Sequence, residues 1–105
     1  MRVLIVCGAG ASSTFLAQRI RRSAAARGLD MTPVPSSAAA APDLLSGVDL
    51  VLAGAHLGDA LAALEASTAS AGVPFVVLAD AAREDGEVLL DTILAATAAR
   101  DGRTL

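Results

Sequence analysis

The chain has 105 residues, 54% hydrophobic and 18% charged, proportions that point to one folded domain, residues 1–105, rather than a disordered segment. A formal net charge of −3 and 2% aromatic content argue against nucleic-acid binding, and a single cysteine rules out an internal disulfide or a cysteine-based zinc site. No apolar run approaches the ~20 residues of a membrane span, and the apolar start is too short for a signal peptide, so a cytoplasmic chain without membrane insertion is expected.

In chain order, the apolar run Val3-Leu4-Ile5-Val6 reads as a buried first strand. Cys7-Gly8-Ala9-Gly10-Ala11-Ser12-Ser13-Thr14 follows it directly and leads into a helix predicted from about Thr14 to Arg27, stopped by Gly28. Leu16, Ile20 and Ala24 recur at helical spacing and should pack on the sheet, while Phe15, Arg19 and Arg22 point elsewhere. Arg19, Arg21, Arg22 and Arg27 place half of the basic residues on this helix, either as a solvated face or as a docking surface for an acidic partner.

Met31 to Pro35 is the second strand, and Pro33 and Pro35 assign it to a sheet edge. A small-residue connector, 36–41, and a short helical turn around Pro42-Asp43-Leu44-Leu45 precede a third strand, Asp49 to Ala53, ending at Gly54. A helix from Leu57 to Ala69 carries the stripe Leu57, Leu61 and Leu64. Val73 to Leu78 is the fourth strand, and Gly86 to Ala99 the last helix, capped by Asp85, with Leu89, Ile93 and Ala96 inward. The tail from Asp101 should fray.

Alternating strands and helices imply an α/β fold: a small open four-stranded parallel sheet with helices on both faces. Right-handed crossovers favour the strand order 2-1-3-4, with the prolines on one edge and Phe75 on the other. That order sets Cys7 beside the switch point, where open sheets hold ligands at the carboxyl ends of their strands. Glycine permits close backbone approach there. Unpaired N–H groups and the dipole of the following helix favour an anion, and favour thiolate over thiol at Cys7. A nucleophilic sulfur beside an anion cradle suggests phosphoryl chemistry on Cys7, with Gly8, Ala9, Gly10, Ala11, Ser12, Ser13 and Thr14 as the phosphate-binding segment.

Cys7, Gly10, Ser12 and Ser13 fill a pattern close to C-x-x-G-x-S-[ST], with Ala11 where many relatives carry methionine. The chain thereby resembles enzyme IIB of the bacterial sugar phosphotransferase system, lactose/cellobiose type, in motif, length and segment order. The resemblance implies a phosphoryl carrier without a cofactor. Cys7 would take the group from a phosphohistidine on enzyme IIA and pass it to a sugar bound in the membrane component, enzyme IIC. It also raises the docking reading of the α-helical arginines, because the surface around the cysteine loop meets the donor in that family.

Other residues on the same rim carry weaker signals. His56 is the only histidine, two residues past the third strand. It is a rim residue or a group near the phosphoryl, and is assigned no catalytic role. Asp80 reads as a turn or cap residue, since a carboxylate would repel a phosphocysteine. Arg83 is an exposed loop charge or reaches a phosphoryl oxygen. Relatives usually carry a longer segment here with a tyrosine-glycine pair, whereas this chain has Asp80 to Gly86 and no tyrosine.

Cysteine phosphatases share the strand–loop–helix design but need C-x-x-x-x-x-R, with the arginine clamping the phosphoryl group. Ser13 stands at that arginine position, and no acid is placed to protonate a leaving group. The residues therefore describe a cradle that holds a thiophosphate rather than hydrolysing it. A small phosphatase or arsenate reductase is the less favoured enzyme reading. A regulatory or sensor module that has kept the fold is the non-enzyme alternative.

Overall fold

A computed structural model describes residues 1–6, 10–78 and 86–102, the side chains of 10–13, 56 and 98–102 excepted. Strand β1 (Arg2–Val6) sends alternate side chains to opposite faces of the sheet. Val3 and Ile5 enter one apolar layer and Leu4 and Val6 the other, and none of the four is exposed. A strand buried on both faces is a continuous apolar run, and this one lies at the centre of a parallel sheet.

The sheet has the order β2-β1-β3-β4, all parallel, with β2 at Thr32–Ser36, β3 at Leu50–Gly54 and β4 at Phe75–Leu78. This is the expected topology. Helices α1 (Gly10–Ala26) and α3 (Gly86–Gly102) cover one face, where Leu16, Ile20, Leu89, Leu90 and Ile93 pack on Val3, Ile5, Leu50 and Leu52. Helix α2 (Asp59–Ala71) and a 3-10 turn (Ala41–Leu44) cover the other, where Leu64, Ala41, Leu45 and Val48 pack on Leu4, Val6 and Val51. The proline-bearing β2 and the Phe75-bearing β4 are the two edges, as the sequence predicts.

Register is pinned at the amino end of the sheet. Arg2 N–H donates to Asp49 Oδ2 at 2.8 Å, and Asp49 N–H donates to the Arg2 carbonyl at 2.8 Å. The α1 and α2 ends share one device. Gly28 (φ +69°) and Gly72 (φ +72°) take the left-handed conformation. Leu29 N–H then reaches Ala24 O at 2.8 Å, and Val73 N–H reaches Thr68 O at 3.0 Å, so orphan carbonyls are satisfied and the chain turns back to the sheet.

Element boundaries differ from expectation: β2 and β3 each lie one residue later, α1 ends one residue earlier and α2 two residues later. Helix α1 begins at Gly10 rather than Thr14, because nothing in Ala11-Ser12-Ser13 breaks a helix and the glycine sits at its terminal position. Leu57 belongs to a separate 3-10 turn (Ala55–Leu57), since Gly58, at φ +63° and ψ −127°, interrupts the helical path before α2. Strand pairing starts at Phe75 because Val73 is spent on ending α2. Helix α3 continues past Ala99 to Gly102, its alanine-rich stretch meeting no breaker earlier. The expected Asp85 cap lies outside the described residues.

Candidate functional site

The carboxyl rim of the sheet is formed by Val6, Ser36, Gly54 and Leu78, the last residues of the four strands. From β1 the chain leaves over one face into α1 and returns in β2. From β3 it leaves over the opposite face through α2 to β4. The two departures diverge between β1 and β3, the crevice in which such sheets bind ligands.

Cys7, Gly8 and Ala9, the chemical centre of the expected site, lie outside the described residues. The frame on either side is described. Val6 is fully buried beside Ala53 and Ser36, and the chain resumes at Gly10 as the first residue of α1. Gly10, Ala11, Ser12 and Ser13 thus form the helix's first turn rather than a loop. The first four N–H groups of a helix lack intrahelical partners, so these amides are the anion-favouring end of α1. Thr14 follows on the helix with an exposed side chain.

Ser36, buried at the end of β2 next to Val6, donates its hydroxyl to Ser37 O at 2.9 Å, and Ser37 Oγ accepts from Ala40 N–H at 3.3 Å. These two serines shape the chain's exit from β2, a role that small-residue composition alone did not reveal. His56 falls in the 3-10 turn after β3, on the expected rim, with its side chain outside the description. Asp80 and Arg83 lie outside the described residues.

Of the arginines in this region, Arg27, just past the end of α1, is engaged with α3. Arg27 Nη1 donates to Asp91 Oδ1 at 2.9 Å and Arg27 Nε to Glu87 Oε2 at 2.8 Å, with a second contact from Nη2 to Glu87. Hydrogen bonds to Asp91 and then Glu87 raise the guanidinium pKa further above its ordinary range. Arg21 Nη2 donates to Pro33 O at 3.4 Å, on the β2 edge. Arg19 and Arg22 remain exposed on the helix. The signal for the Arg27 cluster was present in Glu87 and Asp91, four residues apart on one helix face.

No described helix is long and apolar enough to cross a membrane. An open parallel sheet of this strand order, with the chain leaving to opposite faces from β1 and β3, defines a doubly wound α/β domain. Residues 2–92 match the family model described as the phosphotransferase system's lactose/cellobiose-specific IIB subunit, and the chain belongs to that family. It is therefore a component of a sugar phosphotransferase system.

Two solved structures are similar. The cellobiose-specific phosphotransferase IIB component from Borrelia burgdorferi shares 27% identity at a TM-score of 0.78, over 92% of this chain and 91% of that one. The lactose-specific IIB component domain from Streptococcus pneumoniae shares the fold at a TM-score of 0.77 and 16% identity, over 91% and 96%. No curated protein matches the chain in sequence comparison.

Proposed function

We propose that this chain is the cytoplasmic phosphoryl carrier of its system, one IIB domain over residues 1–105, with Cys7 as the group that carries the phosphoryl. The observation that supports the reading most is the family match over residues 2–92, which spans a cysteine set between the last residue of β1 and the first turn of α1. The Cys7 thiolate attacks the phosphorus of a phosphohistidine on enzyme IIA. The P–N bond breaks as the S–P bond forms, and the imidazole leaves. Amides from Gly8 to Ser13, with the Ser12, Ser13 and Thr14 hydroxyls, meet the charge on the transferring oxygens.

In the second half a sugar hydroxyl bound in enzyme IIC attacks phosphorus and gives its proton to a base outside this domain. The O–P bond forms as the S–P bond breaks, and the thiolate departs. Thiolate is a good leaving group, so this domain needs no general acid of its own. Intact mass after incubation with phosphoenolpyruvate, the general phosphotransferase proteins and a cognate enzyme IIA tests the first half. A single phosphoryl that depends on enzyme IIA and is absent from Cys7→Ser is expected. No adduct from a donor shown to be active overturns the reading.

Gly10→Val supplies a second check. A branched side chain at the start of α1 should slow phosphorylation by roughly 10- to 100-fold by displacing the acceptor, with little loss of fold. Normal phosphorylation kinetics would remove the glycine from the cradle.

A further inference from the structure

The two edges of the sheet are built differently. Along a strand the N–H and C=O of one residue point to the same side, and successive residues alternate. Thr32 N–H donates to Met1 O at 2.7 Å, so Thr32, Val34 and Ser36 face β1 while Pro33 and Pro35 face outward. Both outward residues lack an N–H, and Arg21 occupies the outward carbonyl of Pro33. That edge is closed to another strand.

At β4 the same reasoning gives the opposite result. Val51 N–H donates to Pro74 O at 2.9 Å, so Pro74, Val76 and Leu78 face β3 while Phe75 and Val77 face outward. Phe75 and Val77 keep both N–H and C=O, and neither has a hydrogen-bond partner at those groups among the described residues. The strand contains no charge and no proline. Val77 is 44% exposed, on the same face of the sheet as the half-buried Phe75.

We propose that β4 is a pairing edge whose occupant is a second copy of this chain. Two β4 strands run antiparallel with Val76 opposite Val76 on a two-fold axis. Phe75 of one copy then meets Val77 of the other, and each such pair exchanges two N–H···O bonds, four in all. The same two pairs set an aromatic ring against a β-branched side chain on the α2 face. Only position 76 meets its own copy across the axis, and β4 carries no charge that the pairing would have to desolvate.

A four-residue strand buries less than the about 1,200 Å² at which stable interfaces begin, so the dimer is weak and forms at high concentration. The antiparallel arrangement points the two carboxyl rims in opposite directions and leaves both open. The proposal does not rest on the role given to Cys7.

Sedimentation velocity from about 10 µM to about 1 mM tests it by mass action. The wild type should move from monomer towards dimer, Val77→Lys should stay monomeric, and Val88→Lys should behave as wild type. Val88 is a comparably exposed valine, at 49%, on α3 rather than on β4. Hydrogen exchange on the wild type gives a readout independent of any variant's folding. The amides of Phe75 and Val77 should gain protection as concentration rises. A wild type monomeric throughout, a dimer that survives Val77→Lys or is lost equally in Val88→Lys, or a dimer with no added protection at these two amides overturns the proposal.

Discussion

At Gly86 the absence of a side chain has a steric cause. A Cβ there would stand 2.7 Å from Ser23 Oγ and 2.9 Å from the Arg19 carbonyl oxygen. The hydroxyl can turn aside, but the carbonyl belongs to the α1 backbone and cannot. Gly86→Ala is therefore expected to cost about 1–3 kcal/mol in urea unfolding, as overpacking does. Ser23→Ala in the same molecule should recover only part of that loss; full recovery would place the strain on the hydroxyl alone. Gly72→Ala tests a different property. Its φ of +72° with open space around it sets the penalty at the backbone, about 1–2 kcal/mol, readable as a lower Tm at unchanged fold.

At the scale of elements, the edge strands show what protection is for. Pro33 and Pro35 remove donors that would have pointed away from the sheet, so no ladder bond is lost by having them. The double change Pro33→Val, Pro35→Val should leave urea stability within about 1 kcal/mol and raise light scattering at high concentration, because it restores two outward N–H groups. Unchanged scattering would mean that Arg21 alone suffices to blunt the edge.

The prolines made the edge position of β2 legible in the sequence, because missing N–H groups constrain pairing directly. Helix boundaries were less so. Gly10 and Gly58 look alike in sequence, yet one begins α1 and the other separates a 3-10 turn from α2. The difference lies in φ and ψ, which a residue type does not fix. The engagement of Arg27 was also hidden, because its acidic partners lie about sixty residues away, on α3. Reading four arginines on one helix says nothing of which neighbour lies alongside.

For the molecule as a whole, two apolar layers share one sheet. Leu4 and Ile5 are adjacent in sequence, both fully buried, and belong to different layers. Leu4→Ala and Ile5→Ala should each cost about 2–5 kcal/mol in urea unfolding, since either leaves a cavity in a closed layer. A loss below about 1 kcal/mol for Leu4 would show that the α2 layer collapses freely around a gap. The topology was legible because turn glycines, prolines and apolar runs all agreed on it, whereas the layer each residue joins follows from register. At the candidate site the sequence points to Cys7, which lies outside the described residues, and the described frame is β1 before it and α1 after it. The end of α1 at Gly10 changed the kind of backbone that adjoins it.

The central place of β1 has a consequence for synthesis. It is the first of the four strands in chain order, yet it is flanked on both sides in the finished sheet, by Thr32–Ser36 and by Leu50–Gly54. Val3, Leu4, Ile5 and Val6 therefore emerge before either of their pairing strands exists. A nascent chain stopped short of β3 holds an uncovered apolar strand, and that interval is when a chaperone that recognises extended apolar segments has most to bind.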